Sequence, residues 1–261
     1  MNIGFDAKRA FLNNSGLGNY SRTLIKTLVH YYPSNKYELF TTKSEKCTFT
    51  KQASALSSVT ISEPRSFLDK KFRARWRSYG ITPLLKEKEI DVYHGLSNEL
   101  PFNIHKFMGK KIVTIHDLIF LRYPKLYPFL DRKIYNKKFQ SSCDAADTII
   151  AISAQTKKDI QEFYFIPEEK VKVVYQSCDE IFYKEFSIDE DNLIRSKHKL
   201  PAEYILYVGT IEERKNLLTL VKALKDVKEI PLVVIGNKRK YLNGWSGSLS
   251  SSWWHLPLAA L

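Results

Sequence analysis

The stretch from Tyr204 to Leu224 changes its period in mid-course, and that change restricts the fold more than any other part of the chain. Ile205 to Val208 is a short apolar run of the kind that forms a fully buried strand. Gly209 and Thr210 break it. From Asn216 onward, Leu217, Leu218, Leu220, Val221 and Leu224 fall on one face of a helix. The reading is strand, turn, helix, with Arg214 and Lys215 at the helix entrance. Unpaired N–H groups at a helix start favour anions. Two cations beside them suit a diphosphate, and they equally suit a solvated basic turn in an ordinary βα unit.

The rest of the chain repeats the pattern of buried strand, loop and helix. Strands are expected at Met1–Asp6, Tyr37–Thr41, Val59–Ile61, up to His94, from Lys111, Thr148–Ser153, Lys172–Tyr175 and Pro231–Gly236. After the first strand, Ser15, Gly16, Gly18 and Asn19 form a glycine loop, and Tyr20, Leu24, Leu28 and Tyr31 recur at helical spacing. Strand, glycine loop and helix is the context in which backbone approaches a ligand closely. The loop lacks the third glycine of a dinucleotide fingerprint, and no acidic residue follows at the distance that holds a ribose. Two further strands deliver His94 and His116, the latter followed by Asp117, to their carboxyl ends, where open α/β sheets bind ligands. For each histidine alone, satisfaction by neighbouring backbone is the commoner arrangement. Ser153 is placed to cap a helix. Leu121 to Tyr127 is expected to be a loop and Phe129 to Asp144 a helix with lysines outward. Ile181 to His198, polar and charged, reads as a linker.

Arg65 to Arg77 carries six cations against Asp69, interleaved with Phe67, Leu68, Phe72 and Trp76. If helical, one face is apolar and the remainder basic. That arrangement suits a helix lying on an anionic bilayer, and equally a surface helix packed on its own core. Nucleic-acid binding is disfavoured because no recognised binding module surrounds the patch. The overall balance of 41 basic to 28 acidic residues, a net charge of +13, favours anionic partners. No run of 18 apolar residues occurs, and the first residues lack a signal peptide's basic start and long apolar core. Cys47, Cys143 and Cys178 are odd in number and scattered, which argues for reduced thiols in a cytoplasmic protein, with neither a disulfide frame nor a zinc site.

These motifs resemble the glycosyltransferases of family 4, often labelled glycosyl transferases group 1, which have the GT-B fold. Gly209 to Leu217 is similar to that family's V-G-T-x-E-x-R-K-N segment. Ser15 to Tyr20 resembles S-G-I-G-x-Y. Asp91 to Pro101 is similar to D-V-x-H-G-x-x-x-x-L-P, and Lys111 to Leu118 to V-x-x-I-H-D-L. The resemblance implies an α/β, GT-B-like chain with a Rossmann-like domain over residues 1–187 and the start of a second, donor-binding Rossmann-like domain over 188–240. It implies retaining transfer of a sugar, with a lean towards mannose, from a nucleotide-diphosphate sugar to a glycan or lipid-linked acceptor. His116 would be the catalytic-site residue beside the donor sugar. Gly209, Thr210, Arg214, Lys215 and Asn216 would bind the donor diphosphate, so that two mononucleotide-type folds clasp it. Ser15, Gly16, Gly18 and Asn19 would form the cleft loop, and His94 and Asp117 would contact donor or acceptor. No D-x-D motif is evident, so no metal and no cofactor beyond the sugar nucleotide is expected. An anionic membrane surface, reached through Arg65–Arg77 on the inner face, is the further partner implied.

Two departures from the family pattern stand out. Gln176-Ser177-Cys178-Asp179 stands where the family has N-G-V-D, so Ser177 or Cys178 is expected to adopt a strained backbone. The family's later acidic segment for donor sugar and ribose has no counterpart after Lys215. Residues 241–261 contain no Asp, Glu, Lys or Arg, in a chain that is 26% charged. The natural reading frame is therefore expected to end near Lys240, the tail being a frame shift, an engineering scar or a truncation product. A genuine apolar tail that docks on a partner is the alternative. On this expectation the donor domain is truncated, and turnover is slow or lost. The competing function is a non-catalytic remnant that serves as a membrane- or partner-binding module.

Overall fold

The computed structural model describes residues 1–44, 47–224 and 230–236. The chain divides into two compact units, with the boundary between Phe182 and Tyr183. The atypical tail, 241–261, lies outside the described residues.

The first unit is built on seven strands. They are β1 (Asn2–Asp6), β2 (Lys36–Phe40), β3 (Val59–Ser62), β4 (Val92–Gly95), β5 (Lys110–Ile115), β6 (Thr148–Ala151) and β7 (Val171–Val173). All pair in parallel, in the order β3-β2-β1-β4-β5-β6-β7. The order reverses beside β1, whose Asp6 stands level with Phe40 of β2 and Gly95 of β4. Loops leaving the carboxyl ends of β1 and β4 therefore converge at a topological switch point, where such sheets place ligands. A parallel sheet buries both faces. The period of two on β2 accordingly sends Leu39 into one apolar cluster, with Phe5, Ile25 and Tyr37, and Phe40 into the other, with Tyr93, Val113 and Ile115.

The carboxyl end of β1 is tied down by charge. Asp6, buried, accepts from Nε and Nη2 of Arg77 at 2.8 and 2.5 Å. Nη1 of Arg77 donates to Glu99 at 2.6 Å, and Nζ of Lys138 donates to the same carboxylate at 3.0 Å. Burial by itself would push the Arg77 guanidinium down, but Asp6 and Glu99 outweigh it and hold it above its ordinary value.

This cluster corrects the expectation for Arg65–Arg77. The stretch is not one amphipathic helix. Ser66 caps a helix at Phe67–Lys71, its Oγ accepting from the Asp69 N–H at 3.0 Å. Phe72, at φ −109° and ψ 54°, ends that helix. A turn at Arg73–Arg75 leads into a π-helical turn, Trp76–Gly80, and then the helix Ile81–Glu87. The π turn buries Trp76 in the core and aims Arg77 at its two carboxylates, while Phe67, Leu68 and Phe72 remain exposed. Arg77 is thus a structural cation and not part of a basic surface. Leu121–Tyr127 also gains structure, as the short helices Ile119–Arg122 and Pro124–Leu126.

In the second unit, the expected linker contains a helix, Ile188–His198. Ser187 and Glu190 close a reciprocal capping box at its start, and Lys199 ends it in the left-handed region. Strands β8 (Ile205–Val208) and β9 (Leu232–Ile235) pair in parallel. The helix Leu217–Ala223 follows β8, with Leu217 and Leu224 buried as its spacing predicts. Strand β8 is not fully buried: Leu206 and Val208 are 50% and 68% exposed, alternating with Ile205 and Tyr207. Among the described residues its only strand partner is β9, and its face with Leu206 and Val208 is exposed. Gly236 is required by close approach, since a Cβ there would meet the Gly209 carbonyl oxygen at 1.8 Å.

Arg77→Met leaves Asp6 buried without its cation and is expected to cost about 3–5 kcal/mol in urea unfolding. Arg75→Met, on an exposed position two residues earlier, is expected to stay within about 0.5 kcal/mol. Equal effects of the two would show that the buried cluster contributes nothing.

Candidate functional site

The glycine loop is held from within the first unit. Oδ1 of Asn13 accepts from the Ser15 N–H at 2.8 Å, from the Ser15 hydroxyl at 2.7 Å and from the Gly18 N–H at 3.2 Å. Arg22 donates to the Ala10 and Asn13 carbonyls at 2.8 and 2.9 Å and to Oδ1 of Asn19 at 2.5 Å. The helix Gly16–Tyr31 starts from this clamp. The two glycines differ in role. A Cβ on Gly18 would meet the Asn13 carbonyl oxygen at 1.8 Å, so Gly18 is demanded by the loop's own packing. A Cβ on Gly16 would meet nothing within 4 Å.

β4 and β5 bring the two histidines to Tyr20, one through hydrogen bonds and one through a ring contact. His94 is buried, and its Nε2 lies 2.8 Å from the Thr114 hydroxyl, which lies 3.0 Å from the Tyr20 hydroxyl. Burial, with His116 nearby, pushes the His94 imidazole down to about 3. His116 stands just past the end of β5 and is 6% exposed. Its backbone N–H donates to Oδ1 of Asn98 at 2.7 Å, and its carbonyl accepts from the Thr156 hydroxyl at 3.2 Å. On the ring, Nε2 lies 2.9 Å from the Leu96 carbonyl oxygen and Nδ1 lies 3.0 Å from Nε2 of Gln176. Tyr20 meets the ring edge-on at 4.8 Å. Burial lowers the affinity of His116 for a second proton; the Leu96 carbonyl and Asp117 act against burial, and Arg9 acts with it. Asp117 itself caps the next turn, its Oδ1 accepting from the Ile119 N–H at 3.2 Å.

In the second unit Gly209, at φ +157°, ends β8, and its N–H donates to the Ile235 carbonyl at 2.8 Å. The Thr210 carbonyl accepts from the Tyr207 hydroxyl at 3.5 Å. A single turn, Glu213–Lys215, leads to Asn216 in the left-handed region, which asparagine tolerates better than most residues, and there the helix begins. Lys215 is exposed. Nη2 of Arg214 donates to Oε1 of Glu212 at 2.5 Å, so its charge is already partly matched. Among the described residues, no three His, Cys, Asp or Glu side chains come together in a way that could hold a metal ion.

Sequence reasoning missed Gln176, Asn98, Thr114 and Tyr20 as partners of the histidines. Asn98 carries the one local signal: it sits at φ +66° in the loop after β4, a conformation that asparagine favours. Gln176 lies in the segment singled out for its missing glycine. The strain expected at Ser177 or Cys178 falls elsewhere. Among the described residues, positive φ outside glycine occurs at Glu89, Asn98, Phe165, Lys199 and Asn216.

A parallel, Rossmann-like sheet with polar groups gathered at the carboxyl ends of β1, β4 and β5 defines an open α/β protein with its ligand edge there. The profile of Glycosyltransferase Family 4 matches residues 15–180, which include the glycine loop, both histidines and Gln176. The chain belongs to that family. It is 24% identical over 176 residues to O-antigen chain mannosyltransferase B of Escherichia coli, covering 66% of this chain and 43% of that protein. It is 30% identical over 128 residues to the serotype-specific mannosyltransferase WbdA of Escherichia coli, covering 48% of this chain and 16% of that protein. Among solved structures, it superimposes on Anabaena HepE in complex with UDP-glucose with a TM-score of 0.62 at 12% identity, covering 94% of this chain and 62% of that one. For a glycosyltransferase from Rickettsia africae the TM-score is 0.57 at 16% identity, covering 90% and 60%. The chain therefore spans less than half the length of the curated relatives it matches, and its fold is the Rossmann-like GT-B fold.

The buried histidine sets a pH dependence. His94 binds its proton near pH 3 when folded, against 6.5 ordinarily, so the unfolded chain holds more protons between those values. The stability this contributes is complete above pH 6.5 and is lost as pH falls toward 3; His116 acts with the same sign. Between pH 7 and 5 the His94 share is about 2 kcal/mol. His94→Gln is expected to flatten urea-unfolding stability over that interval by about this amount. An unchanged slope would contradict the buried neutral state.

Proposed function

We propose that the chain is a retaining glycosyltransferase. In this reading it moves a sugar, with mannose favoured, from a nucleotide-diphosphate sugar to a glycan or lipid-linked acceptor. The observation that carries this reading is His116, held neutral at the carboxyl end of β5 within the stretch that matches the family. The mannosyltransferase names of the curated relatives support the lean to mannose and to a polysaccharide acceptor. UDP-glucose in the HepE structure supports a nucleotide-sugar donor.

The chemistry assigns a demand to each part. Breaking the anomeric bond leaves negative charge on the diphosphate, so the transition state needs cations or N–H donors there. In this proposal Arg214, Lys215 and Asn216 supply them, with Gly209 and Thr210 shaping the turn. Two fixed cations meet the charge without a metal ion. His116, uncharged, offers hydrogen bonding to sugar hydroxyls. Ser15, Gly16, Gly18 and Asn19 present the loop that faces the ligand, while His94 supports His116 through Thr114 and Tyr20.

The exposed Phe67, Leu68 and Phe72, with Lys70, Lys71, Arg73 and Arg75 around them, support peripheral attachment to an anionic membrane surface, where lipid-linked acceptors reside. Among the described residues no helix is long and apolar enough to cross a membrane.

The test is transfer or hydrolysis with GDP-mannose, UDP-glucose and an ADP-sugar. Slow use of one donor is expected, and Arg214→Ala or Lys215→Ala is expected to lower its kcat about 10²-fold. Turnover of a donor that is indifferent to both substitutions would contradict the assignment of the basic turn.

A further inference from the structure

We propose that Gln176 is the positioning residue of His116, and that its amide occupies the ring nitrogen which a substrate hydroxyl takes over on binding. The second half of this statement rests on the glycosyl-transfer reading; the first half does not.

The argument starts from what each partner is able to do. The Leu96 carbonyl only accepts, so the ring nitrogen 2.9 Å from it, Nε2, carries the proton. A neutral imidazole then leaves Nδ1 with one in-plane lone pair. The Gln176 amide nitrogen, 3.0 Å away, donates to it. Both ring nitrogens are therefore engaged by the protein, and Tyr20 packs perpendicular to the ring, with centroids 4.8 Å apart. A ligand hydroxyl that seeks this histidine has only Nδ1 to use, and one lone pair does not serve the amide and a hydroxyl together.

The two holds differ in kind. Leu96 belongs to the core and is fully buried. Gln176 is exposed, on a segment past β7 whose last ladder-like bond is the Val174 N–H to the Ala151 carbonyl. A long, exposed side chain swings into water and keeps its hydrogen bonds there, so the amide is the partner that yields. Asp117, Arg9, Tyr20 and, through Thr114, His94 are the other titratable groups that face or reach the ring. None of them touches Nδ1 among the described contacts, so the state of that nitrogen is set by residue 176.

The experiment is nitrogen-detected NMR of the histidine rings in the full chain, for wild type, Gln176→Leu and Gln176→Glu, from pH 5 to 8. Wild-type His116 is expected to show the proton on Nε2 throughout. Gln176→Leu removes the donor and is expected to raise the titration midpoint by about one pH unit, tenfold in proton affinity. Gln176→Glu, which only accepts, is expected to draw a second proton onto Nδ1 at pH 7. Wild-type ring spectra in both variants, with or without a lowered Tm, would leave Gln176 a structural side chain and overturn the hold. Saturating GDP-mannose or UDP-glucose is then expected to shift Nδ1 and move the Gln176 side-chain amide to a solvent-exposed position. Donor binding that leaves that amide in place overturns the exchange. Absence of binding by any sugar nucleotide overturns the glycosyl-transfer reading and the exchange with it, while the ring titration still decides the hold.

Discussion

The carboxylate of Asp6, buried at the carboxyl end of β1, is the constraint around which the first unit is arranged. A buried charge needs a partner, and the partner is the Arg77 guanidinium, shared with Glu99 and, through Glu99, with Lys138. Those four residues come from β1, the π turn, the loop after β4 and the helix Phe129–Ala145. The cluster thus fixes the loops where the sheet order reverses, which is where a ligand site belongs. It also explains the local backbone. A regular helix through Phe72 would not send Trp76 into the core and Arg77 to Asp6 from the same turn, so the chain breaks at Phe72 and widens at Trp76–Gly80.

Beside this charged anchor the two histidines are kept neutral. His94 and His116 are both buried and both hold less than their ordinary affinity for a second proton. Thr114 bridges His94 to Tyr20, and Tyr20 in turn packs on His116, so the two rings share one supporting side chain. A neutral imidazole recognises hydroxyls by hydrogen bonding alone. The cations proposed for the diphosphate come instead from the turn before Asn216, so that charge recognition and sugar recognition rest on different residues.

Much of the fold was legible because parallel strands buried on both faces leave strong apolar runs. β1, β4, β5 and β6 stood out, as did the cap at Ser153, whose Oγ accepts from the Thr156 N–H at 3.1 Å. The helical face of Leu217 and Leu224 followed from spacing alone. What stayed hidden was set by contacts between distant residues. Arg77 sits in a basic run and looks like a surface cation; only Asp6, 71 positions away, makes it a buried one. Gln176 meets His116 across 60 positions, and no local pattern marks that pairing. The run Ile205–Val208 looked fully buried, yet burial depends on what covers each face of a strand, and the face of β8 with Leu206 and Val208 is exposed. Ile188–His198 looked like a linker because polar composition hid a capping box.

Membership of Glycosyltransferase Family 4 rests on residues 15–180, and the central proposal is that the neutral ring of His116, at the end of β5, meets a sugar hydroxyl. A crystal structure of the chain with an unreactive nucleotide-sugar analogue tests this most directly. The account predicts a sugar hydroxyl within about 3 Å of Nδ1 of His116, in place of the Gln176 amide. A sugar bound elsewhere, with both nitrogens of His116 still held by Leu96 and Gln176, would contradict it.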